Sequence, residues 1–169
     1  VATLYHYFGD REGLVVAARV KQYLGSVGVY LDDFSKAVNE ISNVSEFAAL
    51  IKLFFERSVA STNRKQRFLR AEILGSSRTR PLLAGSLREI QEDHLRRLAD
   101  VFGVAKERGF LAGNLDPRDI AEFALAINLG SVLPDVVAGD AGHGESLSRI
   151  LPLLVDQVLV PQKDKSSAS

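Results

Sequence analysis

The sequence has no cysteine, which excludes disulfides, thiol catalysis and thiolate metal sites and fits a reducing, cytoplasmic setting. Histidine is scarce as well. Only His6, His94 and His143 occur, and no two share the spacing that would set paired metal ligands on one helix. Charge of neither sign is in excess, with 21 basic and 21 acidic residues, so no overall positive charge advertises a nucleic-acid partner. Methionine is absent too, which is unusual in a chain that reads as helical. Strand-like alternation is nearly missing, which argues against a sheet. No charged-then-apolar leader is visible, and the most apolar stretch, around residues 123–133, is too short to span a bilayer, so no membrane partner is expected. No nucleophile stands near a base, no glycine loop suits a phosphate and no metal constellation exists, so neither an enzyme nor a cofactor is expected.

What the chain does have is helical periodicity over a length sufficient for a sizeable core. It holds 169 residues, 46% hydrophobic and 25% charged, in the range of a soluble globular protein. Residues 3–8 form a short apolar-aromatic turn ending at Gly9, and Asp10 caps a long helix to about residue 39. Asn43-Val44-Ser45 marks a break with Ser45 as the next cap, followed by Phe47, Leu50, Ile51 and Phe54 at helical spacing. A helix over 63–74 ends at Gly75-Ser76-Ser77. Pro81 opens another that reaches about Arg108, with Gly109 as its stop. Asp116-Pro117 starts a helix towards Leu133, residues 139–144 form a loop, and a last helix runs over 145–160 until Pro161. Residues 162–169 read as a disordered tail.

The most informative run is Val1-Ala2-Thr3-Leu4-Tyr5-His6-Tyr7-Phe8-Gly9-Asp10-Arg11-Glu12-Gly13-Leu14. Leu4 and Phe8 are four apart and share a face, so they can anchor a short helix. Thr3, Tyr5, His6, Tyr7 and Arg11 place hydroxyl, imidazole and guanidinium groups on or near the other faces, which suits base edges and phosphates in a major groove. Taken alone, the run fits an aromatic-rich helix start packing on a core equally well.

The same run resembles the end of the helix-turn-helix in TetR-family regulators. There Thr-Leu-Tyr-x-Tyr/His-Phe closes the recognition helix, and a Gly, a small polar, a basic and an acidic residue and a Leu open the linking helix. Gly9-Asp10-Arg11-Glu12-Gly13-Leu14 follows that order, and the Gly109-Phe110-Leu111 step before an Asp-Pro helix start extends the likeness. The resemblance implies an all-α chain with three parts. Residues 1–20 would be the remnant of a helix-turn-helix DNA-binding domain and the start of the linking helix. Residues 21–161 would form a helical ligand-binding and dimerisation domain, and 162–169 the tail. Thr3 and His6 would contact bases, while Tyr5, Tyr7 and Arg11 would hold phosphates. Because the first residue is Val1, a basic helical segment of roughly forty residues is expected ahead of it.

The resemblance further implies a small-molecule effector held among the central helices, with Tyr23, Phe54, Phe55, His94, Leu98, Phe102, Phe123, Ile127 and Asn128 as candidate lining. Each aromatic by itself reads first as core, and His94 and Asn128 are the polar candidates on apolar faces. Ile120, Ala124, Ile127 and Ser131 make one apolar stripe, and Leu147, Ile150, Leu151, Leu154, Val155 and Val158 another. Such stripes fit the chain's own core or a second copy. The resemblance favours a homodimer through Ile120, Ala124 and the second stripe. Arg64, Lys65, Arg67, Arg70, Arg78 and Arg80 against Glu72 read first as a solvated face, and more sharply as a field that attracts phosphates. The function implied is a ligand-responsive transcriptional regulator, a repressor released from operator DNA by a small apolar molecule. A helical binding or adaptor protein with no DNA role is the rival.

Overall fold

Caps and interruptions in helical spacing set the boundaries of nearly every element. In the computed structural model, which describes residues 11–27, 31–138 and 145–161, α1 spans Arg11–Leu24 and α2 spans Leu31–Glu40. Spacing alone predicts one helix there; the structure has two. The Ser26 amide closes on the Tyr23 carbonyl at 2.9 Å and the Ser26 hydroxyl donates to the same oxygen at 2.7 Å. Serine thus competes for a carbonyl that a continuing helix needs, next to a glycine that costs about 1 kcal/mol inside a helix.

The helix α3, Val44–Val59, is capped by Asn43 rather than Ser45. Asn43 is extended, and its side-chain oxygen accepts from the Glu46 amide at 2.9 Å. Glu46 reaches back to the Ser42 amide at 2.7 Å. The acid three residues on decides the cap; Ser45 has Ala48 in that place. A short 3-10 turn, Ser61–Asn63, leads into α4, Arg64–Ser76. This helix runs through Gly75, its predicted stop, and passes into a second 3-10 turn, Ser77–Thr79.

Pro81 does open α5, Pro81–Glu107. Gly109, at φ 72°, ends it: its amide bonds the Lys106 carbonyl at 2.9 Å and the Phe110 amide bonds that of Ala105 at 2.9 Å. This paired closure needs a left-handed residue, which glycine supplies without a Cβ clash. Asp116 caps α6, Pro117–Gly130, by accepting from the Arg118 amide at 2.7 Å. Then come α7, Val132–Ala138, and α8, Glu145–Leu154, which widens into a π turn over Val155–Leu159. The fold is all-α, with no strand among the described residues. The predicted turn at 3–8, the loop at 139–144 and the tail at 162–169 lie outside them.

Two apolar cores result. The larger gathers Phe34 of α2, Phe47 and Phe55 of α3, Leu98 and Phe102 of α5, Ala121 of α6 and Leu151 of α8. The smaller joins Tyr23 of α1, Ile73 of α4 and Leu83 and Leu87 of α5, with Val16, Val20 and Val27 packed on it. Helix α5 serves both, its first turns the small core and its later turns the large one.

One ion pair is sealed inside. Arg67 is 0% exposed, and its Nε donates to Asp135 Oδ2 at 2.8 Å while Nη2 lies 2.7 Å from the same oxygen. Nη1 donates to the Ala60 and Ser58 carbonyls at 2.9 and 3.2 Å. The basic run is therefore no uniform solvated face. Lys65 and Arg78 are exposed, Arg80 pairs with Glu12, and Arg64 lies over the Phe68 ring and donates to the Asp135 carbonyl at 3.0 Å.

The apolar stretch is also longer than residues 123–133. Pro117–Val137 is long and apolar enough to cross a membrane by length and composition. In the fold it is divided at Ser131, buries Ile120, Ala121 and Ala124 on one face, and carries the paired Asp135.

Candidate functional site

A cavity of about 220 Å³ lies where the two cores meet. The turn after α1 closes one side with Gly25, Ser26 and Val27, and Leu31 of α2 follows. Phe54 and Ser58 come from α3, Asn63, Gln66 and Arg70 from α4 and the turn before it, His94 and Leu98 from α5, and Ala124, Leu125 and Asn128 from α6. A second hollow of about 230 Å³ shares Val27, Arg70, His94, Leu125 and Asn128 and adds Tyr23 and Gln91. Asn63, Gln66 and Arg70 fall three, four and seven apart along the chain, the spacing of one helix face.

The polar groups are held by local bonds. Asn128 Nδ2 donates to the Ser58 carbonyl at 3.1 Å, and the Ser58 hydroxyl donates to the Phe54 carbonyl at 2.8 Å. Arg70 Nε donates weakly to the Gln66 carbonyl at 3.3 Å. Phe54 is fixed by stacking on Phe34 with ring centroids 4.5 Å apart. Burial pushes the His94 imidazole below its usual pKa of 6.5; the positive charges of Arg97 and Arg70 add to this and Asp93 opposes it. Burial lowers Arg70 as well, with Tyr23 opposing and Arg67 adding to the effect. The Tyr23 phenol is raised by burial, against the pull of Arg70.

Of the nine lining candidates, Phe54, His94, Leu98 and Asn128 border the cavity and Tyr23 borders the second hollow. Phe55 and Phe102 stand behind the wall, in the large core, and Ile127 packs against that core. Phe123 sits at the surface, 37% exposed, its ring edge-on to Phe55 at 6.0 Å. Sequence reasoning missed Arg70, Gln66, Asn63 and the Gly25-Ser26 turn. The helical spacing of the first three was the available signal, and the charge of the run masked it.

Among the dimer candidates, Ile120, Ala124, Leu151 and Val155 are buried in the chain's own large core, and Leu147 and Leu154 pack against it. Ile150 and Val158 face outward, joined by Leu153 at 62% exposure. A second outward row comprises Phe123, Leu129, Leu133, Val136 and Val137 on α6 and α7. Arg11 is exposed in the first turn of α1, whereas Thr3, Tyr5, His6 and Tyr7 lie outside the described residues.

The arrangement is an all-helical bundle with a ligand-sized hollow between two cores, one of which ties in the first described helix. The solved structure of the fatty acid degradation regulator FadR from Bacillus halodurans shares this fold. It superposes with a TM-score of 0.56 at 18% sequence identity, covering 91% of this chain and 76% of that one. No family model matches the chain, and neither does any curated protein.

Proposed function

We propose that this chain belongs to a cytoplasmic, ligand-responsive DNA-binding transcriptional regulator of the TetR type rather than to an enzyme, and that it acts as a homodimeric repressor released by a small, largely apolar effector. One observation carries the reading. The cavity is walled by Gly25, Ser26 and Val27, at the end of the helix whose first turn holds Arg11. The run that resembles a recognition helix leads directly into that helix. The shared fold with a solved regulator supports the same conclusion.

The coupling follows from geometry. Helix α1 has 14 residues and so spans about 20 Å at 1.5 Å per residue. It rides on the small core with α4 and α5, while the far side of the cavity belongs to the large core. A ligand wedged between the cores favours one tilt of α1 and shifts whatever its N-terminus carries. In a dimer, two recognition helices must fit half-sites about 34–36 Å apart, so a small tilt lowers operator affinity. The effect is bounded by the ligand's difference in affinity between the two tilts.

Selection of DNA from a random pool by the full-length protein, followed by titration of the enriched sequence, tests this. His6→Ala should relax base preference by about 1–3 kcal/mol. Arg11→Ala should weaken all sequences alike and reduce the salt slope by about 1. No enriched sequence, or identical patterns for the two variants, would remove the DNA-reading assignment. Compounds that stabilise the protein yet leave operator affinity unchanged would remove the coupling.

A further inference from the structure

We propose that the cavity takes a small amphipathic carboxylic acid whose carboxylate is held by Arg70. This rests on the reading of the cavity as an effector site and narrows the largely apolar effector to one with an anionic head group.

Arg70 borders both hollows and is partly buried. Its only hydrogen bond among the described residues is the weak one from Nε to its own helix. Six other arginines have anions: Arg19 pairs with Glu72, Arg67 with Asp135, Arg80 with Glu12, Arg96 with Asp93, Arg97 with Asp32 and Arg118 with Glu92, while Arg11, Arg57, Arg78, Arg88 and Arg108 are exposed to solvent. Arg70 has none among the described residues. Asp135, the one buried acid among the described residues, is already committed to Arg67. Among the described residues, no Asp or Glu lines either hollow. A partly buried guanidinium without a counter-ion is costly, and its planar fork matches a carboxylate through two parallel bonds.

The charge count favours one negative charge rather than two. Among the described residues Arg70 is the single cation on the walls, and His94 beside it is held towards its neutral form by burial and by the charges of Arg97 and Arg70. Leu31, Phe54, Leu98 and Ala124 supply an apolar wall for the rest of the ligand. The cavity, at about 220 Å³, exceeds the ~150 Å³ that accepts benzene and falls below the ~300 Å³ at which drug-sized sites begin. It therefore suits one aromatic ring or a short alkyl chain with its head group.

Calorimetric titration of the full chain with benzoate, hexanoate and octanoate, each against its neutral primary amide, is the test. At least one acid should bind tenfold or more tightly than its amide. Arg70→Gln should abolish that preference and Arg70→Lys should keep part of it, with circular dichroism melts confirming that both fold. Should Arg70→Gln not fold, the wild-type His94 imidazole resonances still decide: the bound acid should raise the His94 pKa and the amide should not. Equal binding of acid and amide, or a preference that survives in folded Arg70→Gln, overturns the anionic class but leaves an apolar effector site standing. If no acid binds, the proposal fails. Toluene and indole then separate the two readings, since binding of either keeps the effector cavity and binding of neither removes it.

Discussion

His94 occupies a wall of the cavity with two arginines nearby and one opposing carboxylate, Asp93. Its folded pKa lies below the usual 6.5, so between the two values the unfolded chain binds a proton that the folded chain does not. Stability is then fully present above pH 6.5 and declines as pH falls from there through the depressed folded value. Urea midpoints measured from pH 7.5 down to about pH 5, the lower end of the histidine range, should show this decline, and His94→Gln should flatten it. A His94→Gln profile that parallels the wild type would remove His94 as the cause. Arg67 and Asp135 make a second prediction at this scale. Asp135→Ala leaves the Arg67 guanidinium uncompensated in a site without solvent, and should cost about 3–5 kcal/mol in urea unfolding. Replacing both, as Arg67→Met with Asp135→Leu, should recover part of that loss. It cannot recover all, because the Ser58 and Ala60 carbonyls each lose one donor, keeping only Asn128 Nδ2 at 3.1 Å and the Asn63 amide at 3.0 Å.

Two glycines of the α5 region separate backbone strain from helix propensity. An added Cβ meets nothing within 4 Å at either Gly103 or Gly109, so packing does not distinguish them. Gly103 lies inside α5, and Gly103→Ala should stabilise the protein by about 1 kcal/mol. Gly109 sits at φ 72°, and Gly109→Ala should destabilise it by about 1–2 kcal/mol. Thermal melts of both variants check the opposite signs; equal signs would contradict the helix end described. Features of this local kind are what the sequence shows well. Pro81, Gly109 and Asp116-Pro117 mark helix ends through their own backbone chemistry, and all three read correctly. The break at Gly25-Ser26 is harder, because apolar spacing continues from Val20 through Leu31 to Phe34. Adjacent residues on a helix point about 100° apart, so composition alone does not separate Phe54, on the cavity wall, from Phe55, in the core. Arg67 was hidden for a different reason: its partner Asp135 is 68 residues away, and nothing near Arg67 in sequence announces burial.

At the scale of the molecule, the two outward apolar rows ask for a cover. Ile150, Leu153 and Val158 line one side of α8 and its π turn, and Phe123, Leu129, Leu133, Val136 and Val137 follow α6 into α7. Monomeric soluble proteins rarely leave contiguous apolar patches larger than a few hundred Å² in water. A second copy of the chain is the proposed cover, because a two-fold dimer brings the same apolar rows of both partners to one interface. The test depends on which residues point outward. Leu151 is 2% exposed and belongs to the chain's own core, so Leu151→Glu should unfold the protein whatever its oligomeric state. Leu153→Glu and Leu133→Glu touch only the outer rows and should leave circular dichroism spectra unchanged. Sedimentation equilibrium at micromolar concentration should give a dimer for the wild type and a monomer for the Leu153→Glu, Leu133→Glu double variant. Operator affinity should fall with it, since two half-sites no longer act together. A monomeric wild type, or a double variant that remains dimeric, would show that these rows are not the interface.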